Sequence, residues 1–120
     1  MAKHLETGKQ GEDIATTFLE EKGYAILKRN WRRSRSEIDI VAKHQDILIF
    51  VEVKTRSDDY FGKPEIFVTP KKQKLMAKGA AVYMREIGHT WEIRFDVISV
   101  LIRKGKVYVE HFEDAFFPGW

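Results

Sequence analysis

Glu52 is the residue whose surroundings most strongly indicate chemistry, because it is the only polar residue in the run Ile47–Val53. So apolar a run is typical of a central β-strand that is buried on both faces. An ionised carboxylate in such a strand is costly unless it is paired or bound to a metal ion. Lys54 follows two residues later, so it should face the same side of the strand, about 7 Å away. Glu52 and Lys54 therefore mark a candidate site.

A second carboxylate, Asp39, comes from the preceding β-rich run. The short polar segment Lys43–Asp46 separates the two runs and predicts an antiparallel hairpin. With a turn of even length, Asp39 is expected opposite Phe50, and Glu37 opposite Glu52. Asp39 and Glu52 then become diagonal neighbours on one face of the sheet, about 7–8 Å apart.

Two carboxylates at this separation can share one divalent cation. Asp39 and Glu52 are the expected ligands, and because no His or Cys accompanies them, Mg²⁺ or Mn²⁺ is favoured over zinc. A cation held there polarises a scissile phosphate and lowers the pKa of a bound water molecule. Lys54 can stabilise the developing charge or orient the attacking water. The pattern therefore predicts hydrolysis of a phosphodiester bond.

Basic side chains are concentrated in two stretches, 28–35 and 63–85. The net charge of +3 is too small to establish a nucleic-acid partner, and most charge runs are simply solvated surface. Beside an acidic metal site, however, they predict a track for phosphate groups. The expected partner is nucleic acid, DNA in particular, and a homodimer is also allowed. The expected nucleic-acid-binding residues are Arg29, Arg32, Arg33, Arg35, Arg56, Lys71, Lys74 and Lys78.

The composition narrows the class of protein. The 120 residues suffice for one domain, expected to span residues 1–120, and 43% of them are hydrophobic. There is no cysteine, which excludes disulfides, a thiol nucleophile and Cys-ligated metal sites. No apolar run reaches the length of a membrane span and no signal peptide is expected, so the expectation is a cytoplasmic protein without a membrane partner. The histidines show no metal-ligand spacing and are expected at the surface; they are His4, His44, His89 and His111.

Hydrophobic periodicity and capping residues predict the order αβββαββ, a mixed sheet flanked by helices of the α/β (α+β) class. The first helix is expected to begin at Thr7 and to end before Gly23. The second is expected to have Thr69 as its N-cap, Pro70 at its first position and Gly88 after its end. The expected strands are 24–27, 37–42, 47–53, 92–101 and 106–112.

Asp39, followed after twelve residues by Glu52-Val53-Lys54, resembles the PD-(D/E)xK signature of restriction-endonuclease-like nucleases. More closely, the chain resembles the YraN-like family, which is similar in pattern to archaeal Holliday-junction resolvases. The matching stretches cover nearly the whole chain. They are Gly11-Glu12 with Ala15, Asn30–Arg32, Ser36–Val41, Phe50–Arg56, Phe61-Gly62 and Arg94–Ile98.

The resemblance implies a restriction-endonuclease-like fold and an endonuclease acting on DNA, branched or damaged DNA included. It implies active-site positions for Asp39, Glu52 and Lys54, and it identifies Glu12 with a first-helix acid that related resolvases use at their metal site. Ile38 stands where the signature has proline.

Several alternatives remain open from sequence. Glu52 and Lys54 can instead form a buried ion pair that only supports the sheet. Glu37 can be a third ligand, a group that positions a ligand, or a solvated acid, and Gln73 is expected to reach the site from the start of its helix. At the level of function, a nuclease competes with a nucleic-acid-binding protein that does not cleave, and with a protein-interaction module whose acids are structural.

Overall fold

The structure, a computed structural model, describes residues 2–57, 63–64 and 66–118. The stretch Phe61-Gly62, which contributes to the family resemblance, lies outside these residues. The elements follow the predicted order αβββαββ. They are α1 (Ala2–Glu21), β1 (Ala25–Arg33), β2 (Ser36–His44), β3 (Ile47–Arg56), α2 (Pro70–Ile87), β4 (Ile93–Arg103) and β5 (Lys106–Phe116).

The five strands form one mixed sheet in the order β1-β2-β3-β4-β5. Neighbouring strands are antiparallel except β3 and β4, which are parallel and connected through α2. The predicted α+β class and the central position of β3 are both confirmed. Consecutive β3 residues enter two different cores, with Phe50 on the α2 side beside Met76, and Ile49 on the α1 side beside Leu19. This explains why the strand is apolar along most of its length.

Helix α2 begins and ends where its capping residues predict. Thr69 Oγ1 accepts a hydrogen bond from Lys72 N at 3.1 Å, and Pro70 occupies the first turn, where its missing N–H leaves no bond unmade. Gly88 closes the helix with φ 70°, in the left-handed conformation that glycine adopts without strain. A side chain at Gly79 would collide with Ser36, so this glycine lets α2 lie close against β2.

The largest differences from the predicted boundaries are at the start of α1 and the end of β1. Helix α1 begins at Ala2, so Thr7 lies within the helix rather than at its N-cap; residues 2–6 include good helix formers, which extend the first turns. Strand β1 continues to Arg33 instead of ending at residue 27. Trp31 accounts for the extension, because it pairs with Ile38 and is buried in the core against α2. Much of the first basic stretch is therefore strand rather than loop.

A buried polar cluster joins β4 to β5. Asp96 is 0% exposed and accepts hydrogen bonds from Arg94 Nε at 2.8 Å, His111 Nε2 at 2.7 Å and the Asp114 amide at 3.0 Å. Burial favours the protonated acid, but these donors prevail and keep the pKa of Asp96 below its ordinary value. The expectation of a surface position for His111 was wrong, since its side chain is only 3% exposed.

The protonation of His111 follows from its two neighbours. Its Nδ1 lies 2.8 Å from Lys22 Nζ, and an ammonium group can only donate. Nδ1 therefore accepts, and Nε2 carries the proton that is donated to Asp96. The contact ties the segment after α1 to the strand pair β4 and β5.

Among the residues that the structure describes, no helix is long and apolar enough to cross a membrane.

Truncating Asp96 to alanine should lower the free energy of unfolding by about 3–5 kcal/mol, because Arg94 and His111 would lose their buried anion. Urea unfolding measures the change. Glu86→Ala is the matched control, since Glu86 forms an exposed ion pair with Arg33 worth less than about 1 kcal/mol. Equal losses in the two variants would contradict the structural importance of the cluster.

Candidate active site

The turn between β2 and β3 sets which residues meet across the hairpin. Gln45 and Asp46 both have positive φ, 49° and 67°, as in a two-residue type I′ turn. Val41 therefore lies opposite Phe50, and the predicted pairing of Asp39 with Phe50 was wrong by two residues. A shift of two residues keeps every side chain on its own face. Continued by one step, the observed register brings Asp39, rather than Glu37, across from Glu52.

Strands β2 and β3 stop pairing at this point. The last pair is Ile40 with Val51, whereas β2 stays paired with β1 as far as Ser36. The Val53 amide instead donates to Asp39 Oδ2 at 2.8 Å. The Asp39 carboxylate thus takes the place of a main-chain carbonyl in the opening between the two strands, and it lies next to Glu52.

Glu52 is almost completely enclosed, with 4% of its side chain exposed. Its Oε2 lies 2.6 Å from Lys72 Nζ. Its Oε1 is buried and has no hydrogen-bond partner among the residues that the structure describes. The cation beside Glu52 is therefore Lys72, in the first turn of α2, and not Lys54 as one sequence interpretation had it.

Asp39 holds its proton more tightly than an ordinary aspartic acid does. Burial, followed by the negative charge of Glu52, raises the pKa of Asp39 to about 7. A protonated Asp39 can donate a hydrogen bond to Glu52, whereas an ionised Asp39 can only accept one. Burial tends to lower the pKa of Lys72, but its hydrogen bond to Glu52 and the negative charges of nearby acids, Glu52 above all, together outweigh burial and raise the pKa. Without a metal ion, the pair is thus held by one lysine and one titrating proton.

Helix α1 brings a third acid to the same region. Gly11 packs so closely on Thr55 that a Cβ would overlap the threonine side chain, which places the neighbouring Glu12 beside the sheet. Glu12 Oε1 accepts from Arg29 Nε at 3.1 Å and from Asn30 Nδ2 at 2.9 Å. Asn30 has φ 50°, a turn within the strand that lets two consecutive side chains reach one acid.

Glu12 and Asp39 border one cleft of about 550 Å³. The cleft is lined by Gly8, Lys9, Glu12, Asn30, Asp39, Val53 and Thr55. Glu52 lies outside this lining, against α2. Within residues 2–57, 63–64 and 66–118, no group of three or more His, Asp or Glu side chains is close enough together to hold a metal ion.

The remaining expected site residues lie around this centre. Lys54 is half-buried two residues beyond Glu52, level with Ser99 of β4. Glu37 is exposed and pairs with Arg32 at 2.8 Å, and Gln73 Nε2 donates to the Val68 carbonyl at 2.9 Å. The structure thus gives both side chains partners other than Asp39 and Glu52.

The expected nucleic-acid-binding residues differ in their surroundings. Arginines of β1 form ion pairs with acids, Arg29 with Glu12 and Asp13, and Arg33 with Glu86. Other basic side chains are exposed to solvent; they are Arg35, Lys71, Lys74 and Lys78. Arg56 is half-buried and donates to the Thr55 carbonyl at 2.8 Å.

A second cleft, of about 180 Å³, adjoins the start of α2. It is lined by Arg35, Glu37, Thr69, Lys71, Lys72 and Leu75. Sequence reasoning missed Lys72, which contacts both this cleft and Glu52. A signal was present, because a helix that follows a strand and leads to its parallel neighbour begins near the carboxyl end of the first strand.

The fold is of the α+β class, with a five-stranded mixed sheet that has helices packed on both faces. Strands β2 and β3 stop pairing beside Asp39 and Glu52, which form an acidic candidate site. The sequence model of the uncharacterised protein family UPF0102 matches residues 11–100. The chain belongs to this family, which is the YraN-like family that the motifs resemble.

Full-length relatives support the assignment. A UPF0102 protein of Flavobacterium psychrophilum is 47% identical over 117 residues, 98% of each chain. One of Phocaeicola vulgatus is 42% identical over 118 residues, again 98% of each chain. One of Thermodesulfovibrio yellowstonii is 42% identical over 113 residues, 94% of this chain and 97% of its own.

The raised pKa of Asp39 predicts how stability depends on pH. Because the folded pKa of about 7 exceeds the ordinary 3.8, the folded state binds the proton more tightly than the unfolded chain. This contribution is complete below about pH 4 and is lost as pH rises through 7, up to about 4 kcal/mol in all at roughly 1.4 kcal/mol per pKa unit. Asp39→Asn should remove that decline.

Urea unfolding between pH 4.5 and 8, in the presence of a chelator, tests this prediction. Glu37→Gln is the control, because Glu37 is exposed and should leave the decline as it is in the wild type. A decline of the same size in Asp39→Asn would show that another group is responsible.

Proposed function

We propose that this protein is a metal-dependent endonuclease that hydrolyses phosphodiester bonds in DNA, with branched or damaged DNA as candidate substrates. The observation that carries the proposal is Glu52, a buried carboxylate with one oxygen that lacks a hydrogen-bond partner among the described residues whenever Asp39 is ionised. An unsatisfied buried carboxylate oxygen is unfavourable for stability, so its presence supports a role in binding. Asp39, which retains a proton to about neutral pH, is its neighbour.

The residues present suit a hard divalent cation. Asp39 and Glu52 would hold Mg²⁺ or Mn²⁺, for which carboxylate oxygen ligands are appropriate. Bound there, the cation would polarise a phosphate and lower the pKa of a water molecule. A cation would supply a partner for Glu52 Oε1 and would replace the proton that Asp39 holds near neutral pH.

Other side chains of the chain would act on the substrate. Lys54, on the same strand as Glu52, would stabilise negative charge on the phosphate, as in the PD-(D/E)xK pattern. Glu12 is held in a fixed orientation by Arg29 and Asn30 and faces the cleft that Asp39 borders. It would add negative charge to the cation-binding region from the α1 side.

Nucleic acid would approach along α2 rather than β1. Lys71, Lys74 and Lys78 recur at helical spacing and are exposed, whereas several arginines of β1 are engaged with acids. Arg35 adds to this basic surface, because it lines one cleft with Lys71 at the start of α2. Duplex DNA can be bound through such phosphate contacts without any reading of sequence.

The second candidate function is a nucleic-acid-binding protein that keeps the fold but does not cleave. One observation favours it, namely that Lys72 already neutralises Glu52 at 2.6 Å without a metal ion. The two functions differ in whether Glu52 is needed. A nuclease requires its carboxylate for cleavage, whereas a binding protein should bind DNA equally well without it.

Cleavage should be visible on at least one substrate in a panel of linear, nicked, flapped and four-way-junction DNA with Mn²⁺. Glu52→Gln should abolish the products and should weaken Mn²⁺ binding, measured by calorimetry, by at least about tenfold. Glu37→Gln, at an exposed acid nearby, is the matched control and should retain both properties. DNA binding without products from any substrate would favour the second candidate.

Salt dependence should identify the surface that binds DNA. Log affinity should fall with log salt at a slope of about −0.9 per phosphate neutralised. The double variant Lys71→Glu, Lys74→Glu should flatten the slope, whereas Lys106→Glu, at the start of β5, should change it little. Fluorescence anisotropy with a labelled duplex gives the slopes, and affinity that is independent of salt would refute the surface.

A further inference from the structure

Lys72 lies between two groups of opposite charge. On one side its Nζ is 2.6 Å from Glu52 Oε2, and on the other its side chain lines the small cleft with Arg35 and Lys71. The lysine side chain is 41% exposed, so it is not locked in place by packing. A lysine carries a compact charge on a flexible stem, which can reach different partners from one backbone position.

The contact of Lys72 with Glu52 and the binding of a cation exclude one another electrostatically. An ammonium group at 2.6 Å and a divalent cation on the same carboxylate would repel each other strongly in an enclosed place. Of the two Glu52 oxygens, Oε2 contacts Lys72 and Oε1 has no hydrogen-bond partner among the described residues. Full use of the Glu52 carboxylate by a cation therefore requires that Lys72 moves away.

The direction in which Lys72 can move is also defined. The small cleft already holds the exposed positive charges of Arg35 and Lys71, and Thr69 at the N-terminus of α2 forms part of its wall. Glu37 also lines the cleft, but its carboxylate already lies 2.8 Å from Arg32, so a third positive charge there is unfavourable unless a further anion is present. A phosphate group would supply that anion, and the helix N-terminus favours it further.

We propose that Lys72 exchanges between Glu52 and a phosphate of the nucleic acid. In the cation-free protein Lys72 neutralises Glu52, and cation binding releases it into the cleft with Arg35 and Lys71, where it contacts the phosphate. Cation binding and phosphate binding are thereby coupled through one side chain. This inference rests on the proposed metal-dependent function and adds a substrate-contacting residue to it.

Calorimetry with Mn²⁺ on the full chain tests the exchange without relying on activity. Lys72→Met should bind Mn²⁺ about fivefold or more tightly than the wild type, because no ammonium group has to be displaced. Lys71→Met is the matched control, one residue away and exposed, and should leave Mn²⁺ affinity within about twofold of wild type. Lys72→Arg keeps a competing charge and should remain close to the wild type.

A second measurement tests the contact between Lys72 and a phosphate of the DNA. Mn²⁺ should strengthen wild-type binding to a phosphorothioate-linked DNA duplex, which resists hydrolysis, and this gain should be reduced about fivefold or more in Lys72→Met. Thermal unfolding checks that the variant is folded. If Lys72→Met is unstable, Lys72→Gln takes its place in both measurements.

The outcomes separate the inference from the function on which it rests. The exchange is supported if Lys72→Met binds Mn²⁺ more tightly than the wild type and if Mn²⁺ strengthens its binding to DNA much less. Wild-type Mn²⁺ binding that is unchanged in Lys72→Met overturns the exchange and leaves the proposed nuclease standing. Absence of Mn²⁺ binding in both proteins overturns the exchange and the proposed function together.

Discussion

The burial of one carboxylate, that of Glu52 in the central strand, is the constraint on which the arrangement of this protein depends. Taking a charge out of water is unfavourable unless neighbouring groups replace the lost solvation. Here the replacement comes from two directions, with Lys72 from the first turn of α2 and Asp39 from the opening between β2 and β3. The crossover through α2 and the early end of strand pairing are both needed to bring these groups together.

Features encoded by neighbouring residues were predictable from the sequence. Thr69, Pro70 and Gly88 specify the ends of α2, and the apolar run around Phe50 identifies the central strand. The faces of β2 and β3 were predicted correctly although the register was wrong by two residues, because side chains alternate with a period of two. The closeness of Asp39 to Glu52 was therefore expected, but their position across from each other was not.

Features that depend on contacts between distant segments were not predictable in the same way. Lys72 and Glu52 lie twenty positions apart in the sequence, and the basic spacing of α2 did not single out one lysine. His111 was expected at the surface, and its burial arises from Asp96 on the neighbouring strand. Asn30 gave no sign that it would adopt a left-handed conformation within a strand. In each case the partner, and not the residue itself, decides the environment.

The hydrogen bond from the Val53 amide to Asp39 makes the backbone of the central strand sensitive to the site. In an ordinary sheet this amide would face a neutral carbonyl, whereas here its acceptor is a carboxyl group that changes charge near neutral pH. The amide proton of Val53 should therefore resonate further downfield when Asp39 is ionised than when it is protonated or shares its charge with a cation. One backbone resonance in an isotope-labelled sample would report the charge of Asp39, with no dye, substrate or turnover required.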